Sequence, residues 1–405
     1  SKDTFAKLSF DERIYISNDL ISGLKDNDLY HYRRPLDEIN YGLNGTPRAD
    51  SNRQGSVLNL ASNDYLNFTR HPSIIHTCLQ TIKVNGVGSG SVPMLAGTLK
   101  VHKQLEESLA EFTDKNAAIT YNSCFAANYG LLTALLTESD IAILDTFVHA
   151  SIIDGCCKTN KAFFIHNDPD SLKHVLKKVS HYKNKLIIIE GVYSMDGDIA
   201  RLAEIIAIAR ENNAWIMIDE SHALGVIGDR GKGTQSHLKV QTKVDIISGS
   251  LGKAFGGIGG FIAGSKQLIS LMELTSRPFI YSTSIPPSVA AGLLKAIELL
   301  NESDPALYQL WANIQYFREN IKHVWSNCKN LETAIFPLII NDESKLLKMC
   351  SALQRQGIFV NPIFYPVVPK KKSRIRISIT AGLSKKEMDY ALNNITSIGK
   401  RLNII

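Results

Sequence analysis

Lys253 stands in the run Ser248-Gly249-Ser250-Leu251-Gly252-Lys253-Ala254-Phe255-Gly256-Gly257, just after the apolar stretch Val244 to Ile247. A lysine held among small residues can reach a bound ligand. Its amine condenses with carbonyl compounds, pyridoxal phosphate among them, and desolvation readily lowers its pKa. The plainer alternative is a solvated loop lysine, the commoner case for an isolated one. Asp219 argues against that alternative, because it ends the apolar run Ala214-Trp215-Ile216-Met217-Ile218 and is followed closely by His222. The carboxyl end of a buried strand is where α/β proteins place ligand chemistry. A carboxylate facing a pyridinium nitrogen is the usual partner of a pyridoxal phosphate lysine, so the two signals support each other.

Asn122-Ser123-Cys124-Phe125 falls where a strand gives way to a helix. Free N–H groups and the helix dipole make such a junction a phosphate site, although the same residues also read as an ordinary helix cap. Ser250 and the run Tyr281-Ser282-Thr283-Ser284 offer hydroxyls for the same phosphate, or only loop polarity. His149, in Val148-His149-Ala150-Ser151, can stack on a flat heteroaromatic ring, but a lone histidine is more often a packing residue. Glu190-Gly191-Val192-Tyr193-Ser194-Met195-Asp196-Gly197-Asp198 closes another buried strand with polar residues at the ligand edge. Gly86-Val87-Gly88-Ser89-Gly90 imitates a dinucleotide loop. It follows helix-like sequence and lacks the strand-turn-helix context, which removes it as a Rossmann fingerprint.

The elements that must position these residues are legible as alternating patterns. Short apolar runs at Ala117-Tyr121, Ile141-Leu144, Ala162-Ile165, Leu186-Ile189, Trp215-Ile218, Asp245-Ile247 and Gly260-Ala263 alternate with helix-period segments such as His102-Phe112, Phe125-Leu136, Asp170-Val179 and Ala203-Glu211. Alternation of this kind predicts an α/β fold, a mostly parallel sheet with helices on both faces. Before it, residues 1–57 read as a polar arm with one helix near Phe10 to Lys25 and turn formers at Asn44-Gly45-Thr46-Pro47-Arg48. A large domain is expected over 58–290. Pro286-Pro287 opens a linking helix to Leu300. A smaller α+β domain follows over 291–405, with strands at Phe336-Ile340 and Ile375-Ile379 and helices near Pro305-Val324, Ser344-Gln356 and from Lys385.

A chain of 405 residues, 44% hydrophobic and 21% charged, is an ordinary globular composition, and its length predicts about two to three domains. The formal charge of +6 is spread along the chain. Its one dense basic run is Lys370-Lys371-Lys372 with Arg374 and Arg376, without the aromatic-studded stripe expected of nucleic-acid binding. Six cysteines, Cys78, Cys124, Cys156, Cys157, Cys328 and Cys350, show no metal-ligand spacing and read as buried free thiols of a reducing compartment. With no signal-peptide pattern and no stretch suited to spanning a bilayer, a cytoplasmic location is expected.

The segments Ser62-Asn63-Asp64-Tyr65-Leu66, His149-Ala150-Ser151, Ser194-Met195-Asp196-Gly197, Asp219-Glu220-Ser221-His222, Gly249-Ser250-Leu251-Gly252-Lys253 and Arg374-Ile375-Arg376, in that order, resemble the α-oxoamine synthases, fold-type-I pyridoxal phosphate enzymes. The resemblance implies that Lys253 carries the cofactor, Asp219 partners its pyridine nitrogen, His222 and Ser194 lie near its ring hydroxyl, and His149 stacks on the ring. Ser123, Cys124, Phe125, Ser250 and Thr283 would complete the cofactor site, while Asn63 and Arg376 would hold the amino-acid carboxylate. It further implies a homodimer with shared sites and a decarboxylative condensation of a small amino acid with an acyl-CoA. Alanine with a pimeloyl-CoA type donor is the leading pair, followed by glycine with acetyl-CoA and then serine with palmitoyl-CoA. An aminotransferase, or an inactive partner subunit, are the readings from other classes. One departure stands out: where relatives often carry an arginine after the glycine-rich stretch, this chain has Pro93, which bears on its acyl or CoA contacts.

Overall fold

The computed structural model describes residues 7–26, 57–303 and 305–405. The turn formers around Asn44 lie outside the described residues. The predicted strands form one seven-stranded sheet: β2 (Ala117–Tyr121), β3 (Ile141–Asp145), β4 (Asn160–Phe164), β5 (Lys185–Glu190), β6 (Trp215–Asp219), β7 (Ile246–Ser250) and β8 (Gly260–Gly264). Their order is β2-β8-β7-β6-β5-β3-β4, parallel except for β8, which runs antiparallel to both of its neighbours.

The continuous apolar runs follow from burial on both faces. Ile143, Ile187, Ile189, Ile216 and Ile218 enter one core, while Leu144, Leu186, Ile188 and Met217 enter a second on the opposite face. The period of two along each strand therefore divides equally apolar residues between two helix layers. Strand β4 closes one edge and is largely exposed. Helix starts are fixed by side-chain caps: Asp168 accepts from the Asp170 and Ser171 N–H groups, Ser265 from Leu268, and Ser384 with Glu387 forms a capping box.

The C-terminal residues build a three-stranded antiparallel sheet, β11-β12-β9, from β9 (Ile335–Ile339), β11 (Pro362–Ile363) and β12 (Arg374–Ser378), packed with helices Glu343–Arg355 and Lys385–Arg401. A two-residue parallel pair, β1 (Leu58–Asn59) with β10 (Ile358–Phe359), ties the start of the expected large domain to the C-terminal part. The helix Pro287–Asn301 packs against helices Pro72–Asn85 and Lys100–Phe112, so the expected 290/291 boundary falls inside an element seated on the large sheet's layers.

Cys156, Cys328 and Cys350 are buried, Cys78 and Cys124 half-buried and Cys157 exposed, so the expectation of buried thiols is corrected at Cys157, which lies in the turn after helix Ala150–Gly155. All six are free. Among the described residues, no helix is long and apolar enough to cross a membrane.

Candidate active site

Five strand ends converge on one edge of the sheet. Tyr121, Asp145, Glu190, Asp219 and Ser250 are the last residues of β2, β3, β5, β6 and β7, and the antiparallel β8 starts at that edge with Gly260. A Cβ at Gly260 would lie 2.4 Å from the Cys124 backbone nitrogen. Only glycine lets the sheet come this close to the N-terminus of helix Cys124–Leu135. Ser123 caps that helix by accepting from the Ala126 N–H at 3.0 Å, which leaves the first helical N–H groups facing the sheet edge without intrahelical partners.

Lys253, half-buried in the turn between β7 and β8, places Nζ 2.8 Å from His222 Nε2. On the other side of the imidazole, Nδ1 lies 2.7 Å from Tyr65 Oη. Burial, and then the Lys253 charge, hold the His222 pKa well below its ordinary value. The ring is therefore neutral, accepting at one nitrogen and donating at the other. Burial also pushes the Lys253 pKa down, while Asp219 opposes the shift. A lysine so placed keeps a larger share of free amine than one in water.

Tyr65 links this pair to the small sheet. Arg376 on β12 donates from both terminal nitrogens to Asn63 Oδ1, each at 3.1 Å, and from one of them to Tyr65 Oη at 3.2 Å. Its Nε is buried and has no partner among the described residues. The Ser62–Leu66 segment is carried to β12 by main-chain bonds, Ser378 N–H to Leu60 O at 2.8 Å and Ala381 N–H to Tyr65 O at 2.7 Å. Arg374, two residues away on the same strand, binds Met195 O at 2.8 Å and Asp196 at 2.7 Å instead.

A second chain of contacts holds Asp219. Asn128 Nδ2 donates to Asp219 Oδ2 at 2.8 Å and to Ser151 Oγ at 3.0 Å, and the Ser221 N–H donates to Asp219 Oδ1 at 2.9 Å. Ser151 Oγ in turn meets His149 Nδ1 at 2.8 Å, while the Phe125 ring stands edge-on to His149. Burial pushes the His149 pKa down. Cys124 Sγ lies 3.3 Å from Ser221 Oγ, and burial with the nearby Asp219 raises its thiol pKa, so it stays protonated and is no nucleophile. Glu190, opposite Asp219 in the β5–β6 register, is pushed up to about 8 by burial and by Asp219. Its Oε2 accepts from the Ser194 N–H at 3.2 Å.

Lys253, His222, Asn63 and Arg376 thus join one contact chain, and Asp219, His149, Cys124 and Phe125 another, with the Lys253 and Asp219 charges acting on each other. Ser250 turns its hydroxyl back to accept from the Gly252 N–H at 3.2 Å. Thr283 is exposed and lies in a cleft with Asn122, Pro93 and His102. Pro93 opens a single π-helical turn, Pro93–Gly97, and the Ser91 carbonyl just before it accepts from the Ser284 N–H at 3.1 Å. Sequence reasoning gave no role to Tyr65, Asn128 or Ser151. Asn128 alone carried an independent mark: an amide in the first turns of a mostly apolar helix, and it is fully buried.

The family model for aminotransferase class I and II matches residues 55–395. The 8-amino-7-oxononanoate synthase of Thermoanaerobacter pseudethanolicus is 41% identical over 352 residues, which cover 86% of this chain and 89% of that protein. The protein of the same name from Bacillus subtilis is 38% identical over 387 residues, covering 95% and 97%. Among solved structures, Sphingomonas wittichii serine palmitoyltransferase superposes with a TM-score of 0.88 at 27% identity, covering 96% of this chain and 98% of its own. With family model, relatives and fold in agreement along nearly its whole length, the chain belongs to the class I and II aminotransferase family, in its α-oxoamine synthase branch.

Proposed function

We propose that this protein is a pyridoxal-phosphate-dependent acyltransferase of the 8-amino-7-oxononanoate synthase type, condensing alanine with a pimeloyl thioester and releasing carbon dioxide. The observation that carries the reading is the likeness to synthases of that name at about 40% identity over most of both chains. The site suits the cofactor. Lys253 presents an amine of lowered pKa, Asp219 presents a carboxylate oriented by Asn128 and Ser221, and the capped helix start at Ser123 presents free N–H groups to a phosphate. A structure of SPT with PLP as its internal aldimine superposes on this chain with a TM-score of 0.84 at 28% identity.

When bound, pyridoxal 5′-phosphate supplies an electron sink for negative charge formed at the substrate Cα. Asp219, held by Asn128 and Ser221, would keep the proton on its pyridine nitrogen, and His149 would pack over its ring. His222 and Ser194 would stand toward its ring hydroxyl, and Ser123, Cys124, Phe125 and Ser250 would hold its phosphate, with Thr283 reaching that phosphate from the neighbouring subunit. Arg376 and Asn63 grip the amino-acid carboxylate, for which the unpartnered Arg376 Nε is the waiting donor. Lys253 then takes the Cα proton as general base, a role its lowered pKa favours. The resulting carbon nucleophile attacks the thioester carbonyl, coenzyme A leaves as thiol, and the β-keto acid loses carbon dioxide.

The working unit is a homodimer in which Thr283 serves the neighbouring site. Its exposure supports this, as does the run of exposed apolar side chains nearby in sequence to the cleft-lining Pro93, with Val87 79% and Leu95 82% exposed. The deciding experiment is a matrix of alanine, glycine and serine against pimeloyl-, acetyl- and palmitoyl-CoA, read by thiol release. Highest kcat/KM for alanine with pimeloyl-CoA is expected. Preference for another pair reassigns the substrates, and pyridoxamine phosphate accumulating with amino acid alone points to a transaminase.

A further inference from the structure

Behind His149 lies a cluster that the chemistry above does not use. His166, two residues past β4, places Nδ1 3.0 Å from Asp145 Oδ1 and Nε2 3.0 Å from Asp198 Oδ2. Ionised carboxylate oxygens only accept, so both ring nitrogens must donate, which requires the imidazolium. Asp145 is fully buried. Its oxygens also accept from the Phe147 and Asn167 N–H groups, each at 2.8 Å, and from the Tyr193 hydroxyl at 2.9 Å. Asn167 Nδ2 donates to Asp198 Oδ2 and to Ile199 O, each at 2.9 Å. The Phe147 ring stacks on the imidazole at 4.4 Å, and Tyr193 meets it edge-on at 4.3 Å. Burial opposes the charge, but hydrogen bonds to the two carboxylates outweigh it and lift the His166 pKa to about 10.

The bracket fixes two segments at once. One is the turn out of β3, from Asp145 through Phe147 to His149. The other runs from Tyr193 to Ile199 and carries Ser194. The small sheet holds the far side of this second segment, through Arg374 to Met195 and Asp196 and through the Thr333 hydroxyl donating to Gly197 O at 2.7 Å. Gly197 has a φ of 71°, and a Cβ there would sit 2.5 Å from Ile335 O, so the segment is pressed directly against β9.

We propose that His166 is a positioning residue: its imidazolium, bracketed by Asp145 and Asp198, sets where His149 and Ser194 stand relative to Lys253 and Asp219. A neutral ring could donate to only one of the two carboxylates, and the other would lose its bond from His166 while keeping its remaining donors. The effect on catalysis rests on the function proposed above, whereas the charge on His166 belongs to the protein alone.

Histidine-selective 15N labelling of the cofactor-free protein reads that charge, with the His166 signals assigned by their loss in His166→Gln. Both ring nitrogens are expected to stay protonated from about pH 6 to about pH 9, across the range where an ordinary histidine deprotonates. A His166 ring that titrates near the ordinary value overturns the proposal, whatever the enzyme's substrates are. The positioning is read with pyridoxal phosphate bound. His166→Gln is expected to weaken the visible circular dichroism of the cofactor and to lower kcat roughly tenfold or more, with the acyl-CoA KM little changed. His166→Arg, which keeps a cation with donors along two edges, is expected to recover part of both. A glutamine variant with unchanged dichroism and kcat and only a lower melting temperature overturns the positioning role. If the glutamine variant does not fold, Asp198→Asn, which alters the bracket from its more exposed side, replaces it under the same criteria.

Discussion

Replacing Arg376 by leucine separates substrate binding from scaffolding. In the structure, the guanidinium spends its two terminal nitrogens on Asn63 and Tyr65 and keeps Nε buried without a partner, an arrangement poised for an incoming carboxylate. A carboxylate bound in fork geometry gains two charge-assisted hydrogen bonds, each worth about 1.5–3 kcal/mol. Asn63 remains in Arg376→Leu and retains part of the grip, so the lower end applies, about 3 kcal/mol in total. At about 1.4 kcal/mol per decade, that is roughly a hundredfold fall in kcat/KM for the amino acid. Steady-state titration of each substrate at saturation of the other measures it, and the KM for acyl-CoA should move by no more than about threefold. Arg374→Leu is the control. That residue is buried and bound to Asp196 and Met195, so the loss of its side chain should cost about 2–4 kcal/mol of stability before it affects amino-acid KM. Equal effects of the two substitutions on both substrates, or an amino-acid kcat/KM within about fivefold of normal in Arg376→Leu, would refute the reasoning.

Lys253→Ala should abolish turnover, and borohydride reduction of the native holoenzyme should label Lys253; a label mapped to another lysine sinks the assignment. Asp219→Asn should leave a folded protein that holds cofactor poorly and turns over very slowly, because an amide does not keep the pyridine nitrogen protonated; near-normal rates at saturating pyridoxal phosphate rule that out. Mixing Lys253→Ala with Thr283→Ala subunits should restore activity by creating one site with both residues intact, and a fully active monomer in sedimentation would contradict the shared site. His166, with a pKa raised to about 10, contributes stability that is complete below the unfolded value near 6.5 and lost as pH rises through about 10. Thermal melts of the cofactor-free protein should therefore fall more steeply between those limits for the native chain than for His166→Gln, and parallel slopes would count against the ion bracket.

The strand ends were legible because a sheet covered on both faces needs unbroken apolar runs, and each run stops at the residue that leaves the core. Asp219 and Glu190 are marked in this way by the switch from isoleucine to a carboxylate. The helix after Ser123 was legible from its cap. By contrast, the direction of β8 was not, because Gly260–Gly264 carries the same apolar pattern whichever way it runs. Strands of two residues, such as Leu58–Asn59 and Ile358–Phe359, are too short for any periodicity to develop.

The sequence by itself therefore determined the class of fold, the lysine and carboxylate at its ligand edge, and the family, since each depends on local composition and ordered motifs. Tertiary structure alone decided the partnerships of Tyr65 with His222 across 157 residues, and of His166 with Asp145 and Asp198, which come from the loop after β4, the end of β3 and the loop after β5. Local patterns report whether a residue is buried. They do not report what it meets there, because that is set by the order in which strands enter the sheet and by the docking of the small sheet against its edge.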